Sequence, residues 1–86
     1  MDRFDAMQAF ARVVEAGSFT KAADTLRLSR STVSALVRQL EAHLRVKLLH
    51  RTTRQVSVTA DGAAYYERVV HLLADLDDAE HQHGEG

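Results

Sequence analysis

One junction constrains this chain more than any other stretch. Ser18 is placed to cap a short helix from Phe19 to about Leu26, and Ser29 is a good N-cap for another helix that follows almost at once. Ala22 and Ala23 are small enough to let a neighbouring helix approach closely. Leu28 and Val33 occupy the two positions of a hydrophobic staple, which fixes how the chain enters the second of these helices. Two helices joined this tightly form a helix-turn-helix.

The rest of the pattern fits around that motif. Phe4, Met7, Phe10 and Val14 recur at helical spacing, with Ala11 and Val13 filling in. Asp2 can cap this first helix, and Gly17 can end it in a left-handed conformation. In the helix after Ser29, Val33, Leu36, Val37, Leu40 and Leu44 form an apolar stripe, and Arg30, Ser31, Ser34, Arg38 and Arg45 lie opposite. The period then changes. Residues 48–51 and 55–58 read as two short strands, with Val56 and Val58 alternating with polar neighbours. Thr52 and Thr53 sit at the tip between Arg51 and Arg54, and the absence of Gly there predicts a loop wider than a tight hairpin turn. Thr59 caps a long last helix with Asp61 in its first turn. Tyr65, Tyr66, Val69, Val70, Leu72, Leu73 and Leu76 give that helix more apolar surface than one small core needs. The expected fold is mainly α: a winged helix-turn-helix of three helices plus a two-stranded wing over 1–58. A long linker or dimerisation helix with a frayed polar tail follows over 59–86.

Charge supplies the function. The net formal charge is −1, yet residues 27–54 hold seven Lys/Arg and one acid, Glu41, between two acidic flanks. A basic centre of this kind suits an anionic partner met by one face. In a helix-turn-helix the second helix enters the DNA major groove and its N-terminal residues reach base edges. Arg30 suits the O6 and N7 of guanine, Ser31 and Ser34 can donate or accept, and the Thr32 methyl suits a thymine methyl. Arg38, two turns along, suits phosphate, and the wing offers Arg51, Thr52, Thr53 and Arg54 to a minor groove or backbone. Ser18 and Ser29 are caps first and phosphate contacts second. Thr20 and Lys21, near the start of the short helix, can reach phosphate.

Other chemistry lacks its residues. The chain has no Cys, hence no disulfide and no thiolate nucleophile or zinc ligand. There is no Gly-rich phosphate loop and no pair of carboxylates placed for acid–base work, so no enzyme and no cofactor is expected. His71, His81 and His83 hint at a metal, but their polar surroundings read as a solvated helix end, as do Asp75, Asp77 and Asp78. No run of 18 apolar residues is present to span a bilayer.

At these residues the chain resembles the N-terminal DNA-binding domain of LysR-type transcriptional regulators. The matching stretches are GSFTKAADTL from Gly17, LSRSTVSALVRQLE from Leu28, LLHRTTRQVSVTADG from Leu48 and YYERV from Tyr65. They stand in order at the family's spacing. Three positions depart from its pattern. Arg30-Ser31 replaces a common Gln-Pro after the capping Ser, which alters the base preference there. Arg45 replaces a Gly after the recognition helix, so either Arg45 is left-handed or the loop changes. Leu49 replaces a Phe in the wing. The resemblance implies a homodimer through the linker helix, bound to an inverted-repeat operator in double-stranded DNA in the cytoplasm, at the nucleoid. It also implies a C-terminal inducer-binding domain, missing here, through which alone a small molecule would act. The other readings are an interaction module that pairs with a full-length regulator, and a winged helix of the MarR type. The long last helix and the wing's Arg spacing argue against the latter.

Overall fold

The computed structural model describes the backbone of residues 3–51 and 55–85, and side chains within 3–51 and 55–77. The expected Asp2 cap, the wing-tip residues Thr52, Thr53 and Arg54, and the side chains of Asp78, His81 and His83 lie outside these residues. The described elements run α1 (Arg3–Ala16), α2 (Phe19–Leu26), α3 (Arg30–Leu44), β1 (Leu49–Arg51), β2 (Val56–Val58) and α4 (Ala60–Glu85). They form a winged helix-turn-helix extended by a long helix. That helix continues past His81, where fraying was expected.

Helix α1 is the centre of the core. It packs on α2, α3, α4 and β2. Its most buried positions are Ala6, Ala9, Phe10, Ala11 and Val13, while Phe4, Met7 and Val14 are half-buried at the margins. The alanines let α3 approach closely. Helix α3 answers with Val33, Leu36, Val37 and Leu40, the stripe read from the sequence. Burying side chains of the size of Phe10 or Leu40 contributes about 1.5–3 kcal/mol each.

The turn of the motif is built by its capping groups. Gly17 is left-handed (φ 66°) and donates its N–H to the Val13 carbonyl at 2.8 Å. Ser18 Oγ accepts from the Lys21 N–H at 3.2 Å and starts α2. Arg27 ends it in a left-handed conformation (φ 59°), and the Leu28 N–H reaches back to the Ala23 carbonyl at 3.0 Å. Ser29 Oγ then accepts from the Thr32 N–H at 3.1 Å and starts α3. Of the two staple positions, Val33 is fully buried, and Leu28 is 42% exposed and borders a groove with Leu26, Thr32 and Leu36.

Arg45 resolves the choice left by its departure from Gly. It is left-handed (φ 60°, ψ 36°) and its N–H caps α3 on the Glu41 carbonyl. A side chain in this region costs about 1–2 kcal/mol, against roughly 0.5–1 kcal/mol lost to the extra freedom of an unfolded Gly. Arg45→Gly is therefore expected to stabilise the domain by about 0.5–1 kcal/mol and raise its Tm by a few degrees. A Tm that stays put or falls in a circular-dichroism melt would contradict this.

The wing is one antiparallel pair, with Leu49 opposite Val58, His50 opposite Ser57 and Arg51 opposite Val56. It begins one residue later on each strand than the sequence suggests. Leu48 lies just outside that ladder. Its N–H goes to the Glu41 carboxylate at 2.8 Å, and its carbonyl accepts from the Thr59 N–H at 3.1 Å. The Leu49 N–H shares the same Glu41 Oε2 at 3.2 Å. Leu48 and Leu49 are both buried, so this corner, rather than an alternating strand, seals the base of the wing.

Helix α4 is tied to that corner. Thr59 Oγ1 accepts from the Gly62 N–H at 2.9 Å and donates to the Lys47 carbonyl at 2.6 Å. Gly62 lies against the Leu48 carbonyl, where a Cβ would fall 2.0 Å from the oxygen. The Tyr65 and Tyr66 rings flank Phe10 at centroid distances of 5.7 and 6.4 Å. Tyr66 also donates its hydroxyl to Glu15 Oε2 at 3.0 Å. The seven apolar positions expected to serve pairing thus divide. Tyr65, Tyr66 and the buried Val69 complete this chain's own core, whereas Val70, Leu72 and Leu76 stay exposed, with Leu73 between them. Among the described residues no helix is long and apolar enough to cross a membrane.

Candidate nucleic-acid interface

The N-terminus of α2, the outer face of α3 and the wing enclose one open cleft of about 450 Å³. Ser18, Thr20, Arg30, Ser34, Arg38 and Arg51 all line it, joined by Phe19, Gln55 and Val56. Six residues named from the sequence as DNA contacts therefore meet in one place, and among the described residues no acid lines it. Lys21 is exposed on α2 outside the cleft wall.

Arg51 takes a different role from the one expected of a wing arginine. Its guanidinium does not extend from the strand. It folds inward over the Phe19 ring, 4.6 Å from the centroid. Nη1 donates to Ser34 Oγ at 2.8 Å. Nη2 stands 3.8 Å from Glu41 Oε1, too far for a hydrogen bond, and is buried with no hydrogen-bond partner. Burial lowers its pKa, Glu41 opposes that shift and Arg38 adds to it. Arg51 remains a cation at any physiological pH. It thus carries charge into the cleft floor and props the face of α3, rather than reaching outward.

Glu41 is the residue whose role sequence reasoning missed. The sequence shows it as the single acid of a basic segment and as one of the positions that carry the family resemblance. Its carboxylate holds the entry to the wing through two backbone N–H groups and neutralises Arg51 from behind. Spacing carried the signal: Glu41 is seven residues from Ser34, two turns along the same helix face.

Three hydroxyls gather at the start of α3. Ser29 Oγ lies 3.2 Å from Ser31 Oγ and 2.7 Å from Thr32 Oγ1. Ser31 is exposed beside the cleft, but Thr32 turns away and is half-buried. It borders the groove with Asp5, Gln8, Leu28 and Leu36. Residue 32 thus faces toward α1 rather than into the cleft. Ala35 lies on the exposed side of the helix instead. It is one turn beyond Ser31 and one turn short of Arg38, and a small methyl there suits close approach to a thymine methyl.

Comparisons with known proteins agree with this architecture. The family model described as "Bacterial regulatory helix-turn-helix protein, lysR family" matches residues 4–63. The chain is 51% identical over 80 residues to an HTH-type transcriptional repressor of Pseudomonas aeruginosa, covering 93% of this chain and 25% of that protein. It is 44% identical over 82 residues to the HTH-type transcriptional activator AaeR of Escherichia coli K12, covering 95% and 26%. The chain thus spans about a quarter of the length of these relatives. Among solved structures, the DNA-binding domain of BenM in complex with catB site 1 DNA superposes with a TM-score of 0.92 at 33% identity, covering 99% of this chain and 93% of that one. The matched family is one of transcriptional regulators, not of enzymes.

Proposed function

The chain belongs to the lysR family of bacterial regulatory helix-turn-helix proteins, and on that premise we propose how it works as an operator-reading domain. It binds double-stranded DNA, with α3 in the major groove and the wing, Thr52, Thr53 and Arg54 included, toward the adjacent minor groove. One observation carries this reading: the acid-free cleft in which α2, α3 and the wing bring together the residues named as contacts. Arg30, Ser31 and Ser34 face bases, with Ala35 in place of Thr32. Ser18, Thr20, Lys21, Ser29, Arg38 and Arg51 set the position on the backbone, Ser18 and Arg51 from within the fold.

Pairing is the second half of the proposal. Val70, Leu72, Leu73 and Leu76 form an apolar surface on α4 beyond the chain's own core. A second copy covers it, giving a two-fold dimer that reads an inverted repeat with half-sites about one helical turn or more apart. Helix α4 then serves two units, its first turns the DNA-binding core and the remainder the linker. The chromosome of a bacterium places this work in the cytoplasm. An inducer enters only through a separate domain of the kind the resemblance implies.

The test is selection of duplexes from a random pool by the purified chain, followed by titration of the winner at several salt concentrations. An enriched inverted repeat bound by two chains supports the proposal. Absence of enrichment would favour the interaction-module reading. Within the enriched site, Arg30→Ala is expected to cost about 1–3 kcal/mol on the cognate duplex and to relax choice at one position. Arg38→Ala is expected to weaken cognate and scrambled duplexes alike and reduce the salt slope by about one. Equal losses on both duplexes for both variants would refute that division of roles.

A further inference from the structure

The contact between Arg51 and Ser34 has a chemical consequence for base choice. A serine hydroxyl has one hydrogen to donate and two lone pairs to accept with, so by itself it tolerates either kind of base edge. Here one lone pair is taken. Arg51 Nη1 donates to Ser34 Oγ at 2.8 Å. The guanidinium cannot reverse the bond, because it has donors and no acceptor. It is also held in place. Phe19 lies under it at 4.6 Å and Glu41 stands behind it at 3.8 Å. The hydroxyl hydrogen of Ser34 is thereby directed away from Arg51. Ser34 is half-buried and lines the cleft, so the cleft is open to that hydrogen. A base amine brought to the same oxygen would meet a lone pair already polarised by a cation, and the positive charge of Arg51 and Arg38 around it.

We propose, resting on the operator-reading function above, that Arg51 is a positioning residue that fixes Ser34 as a hydrogen-bond donor, so that α3 demands an acceptor at the base Ser34 faces. In the major groove guanine offers O6 and N7, adenine N7 and thymine O4, while cytosine offers only its amine. Ser34 therefore disfavours cytosine at that base. The wing takes part in specificity from behind the recognition helix, without touching the base.

The experiment is the same duplex selection run in parallel with the wild-type chain, Ser34→Ala and Arg51→Met, with each variant's fold checked by circular dichroism. Met keeps the unbranched apolar stem of Arg51 and removes its donors. Ser34→Ala identifies the position Ser34 reads. Wild type is expected to disfavour cytosine there about five- to tenfold, the worth of one hydrogen bond left unmade. Arg51→Met is expected to bind all duplexes more weakly and to accept cytosine at that position within about twofold of the other bases, leaving the other positions unchanged. Three outcomes overturn the proposal: cytosine enriched there by wild type, wild-type discrimination retained by Arg51→Met, or no position that responds to Ser34→Ala. Should Arg51→Met fail to fold, the wild-type chain decides with a single base analogue that lacks the acceptor, 7-deazapurine for a preferred purine or a pyrimidine without O4 for thymine. Loss of binding by wild type but not by Ser34→Ala supports the proposal, and unchanged binding by wild type overturns it. A pool with no enriched site at all overturns the operator reading and the proposal together, which is distinguishable from a clear site that tolerates cytosine.

Discussion

Gly62→Ala is expected to cost about 3 kcal/mol, at or above the upper end of the usual overpacking range, and to lower the Tm by more than 10 °C. The added methyl would sit 2.0 Å from the Leu48 carbonyl oxygen and 2.8 Å from Val58 Cγ1. Neither neighbour has room to give. The Leu48 carbonyl is backbone and accepts the Thr59 N–H at 3.1 Å. Leu48 itself is fully buried beneath the wing. Relief would require α4 to lift away from the wing, breaking the hydrogen bonds of Thr59 to Gly62 and to Lys47. A domain of this size holds only about 5–10 kcal/mol in total, so the variant is near its unfolding threshold at 37 °C. Urea unfolding followed by circular dichroism measures the change directly. A loss below about 1 kcal/mol would mean that the close approach at Leu48 does not hold in solution. Ordinary helix propensity predicts the opposite sign, since Ala is favoured over Gly within a helix by about 1 kcal/mol.

Leu72→Glu with Leu76→Glu is expected to leave the fold intact and to weaken binding to the inverted repeat by about a hundredfold or more. The two side chains are 55% and 42% exposed, so their replacement uncovers little of the core. Between them Asp75, and next to them Asp77, already make this stretch acidic, and two further carboxylates add repulsion between paired helices. Without pairing, each half-site binds separately and the gain from linking two binding events, about 10²–10⁴, disappears. Affinity for an isolated half-site is expected to stay the same within about twofold, because the cleft is untouched. Sedimentation gives the oligomeric state and a gel-shift titration gives both affinities. A variant that remains dimeric, or that loses half-site binding as well, would contradict the assignment of this face.

What the residues disclosed in advance follows a physical divide. Local signals were reliable. Ser18, Ser29 and Thr59 cap the helices that they were expected to cap, because capping is settled within three or four residues. The apolar stripe of α3 was legible for the same reason, as it needs only the helix period. Direction at a distance was not legible. Nothing in the order Leu49-His50-Arg51 says that Arg51 turns inward, because its partners Ser34, Glu41 and Phe19 lie ten to thirty-two residues away. Tyr65 and Tyr66 looked available for a partner because the stripe of α4 does not show where α1 ends its claim on it. Residue type alone offered Thr32 for a base contact, but it does not show that the helix turns Thr32 half-buried toward α1 while Ala35 is exposed.

The corner at Thr59 has one more consequence. Its hydroxyl spans the Lys47 carbonyl and the Gly62 N–H, while the Tyr65 and Tyr66 rings hold Phe10 on α1. In the proposed dimer the jaw for DNA and the arm toward a second copy would therefore be a single casting, like one leg of a caliper. Operators that differ in the separation or bend of their halves would then be met by adjustment at the pivot, where one arm meets the other.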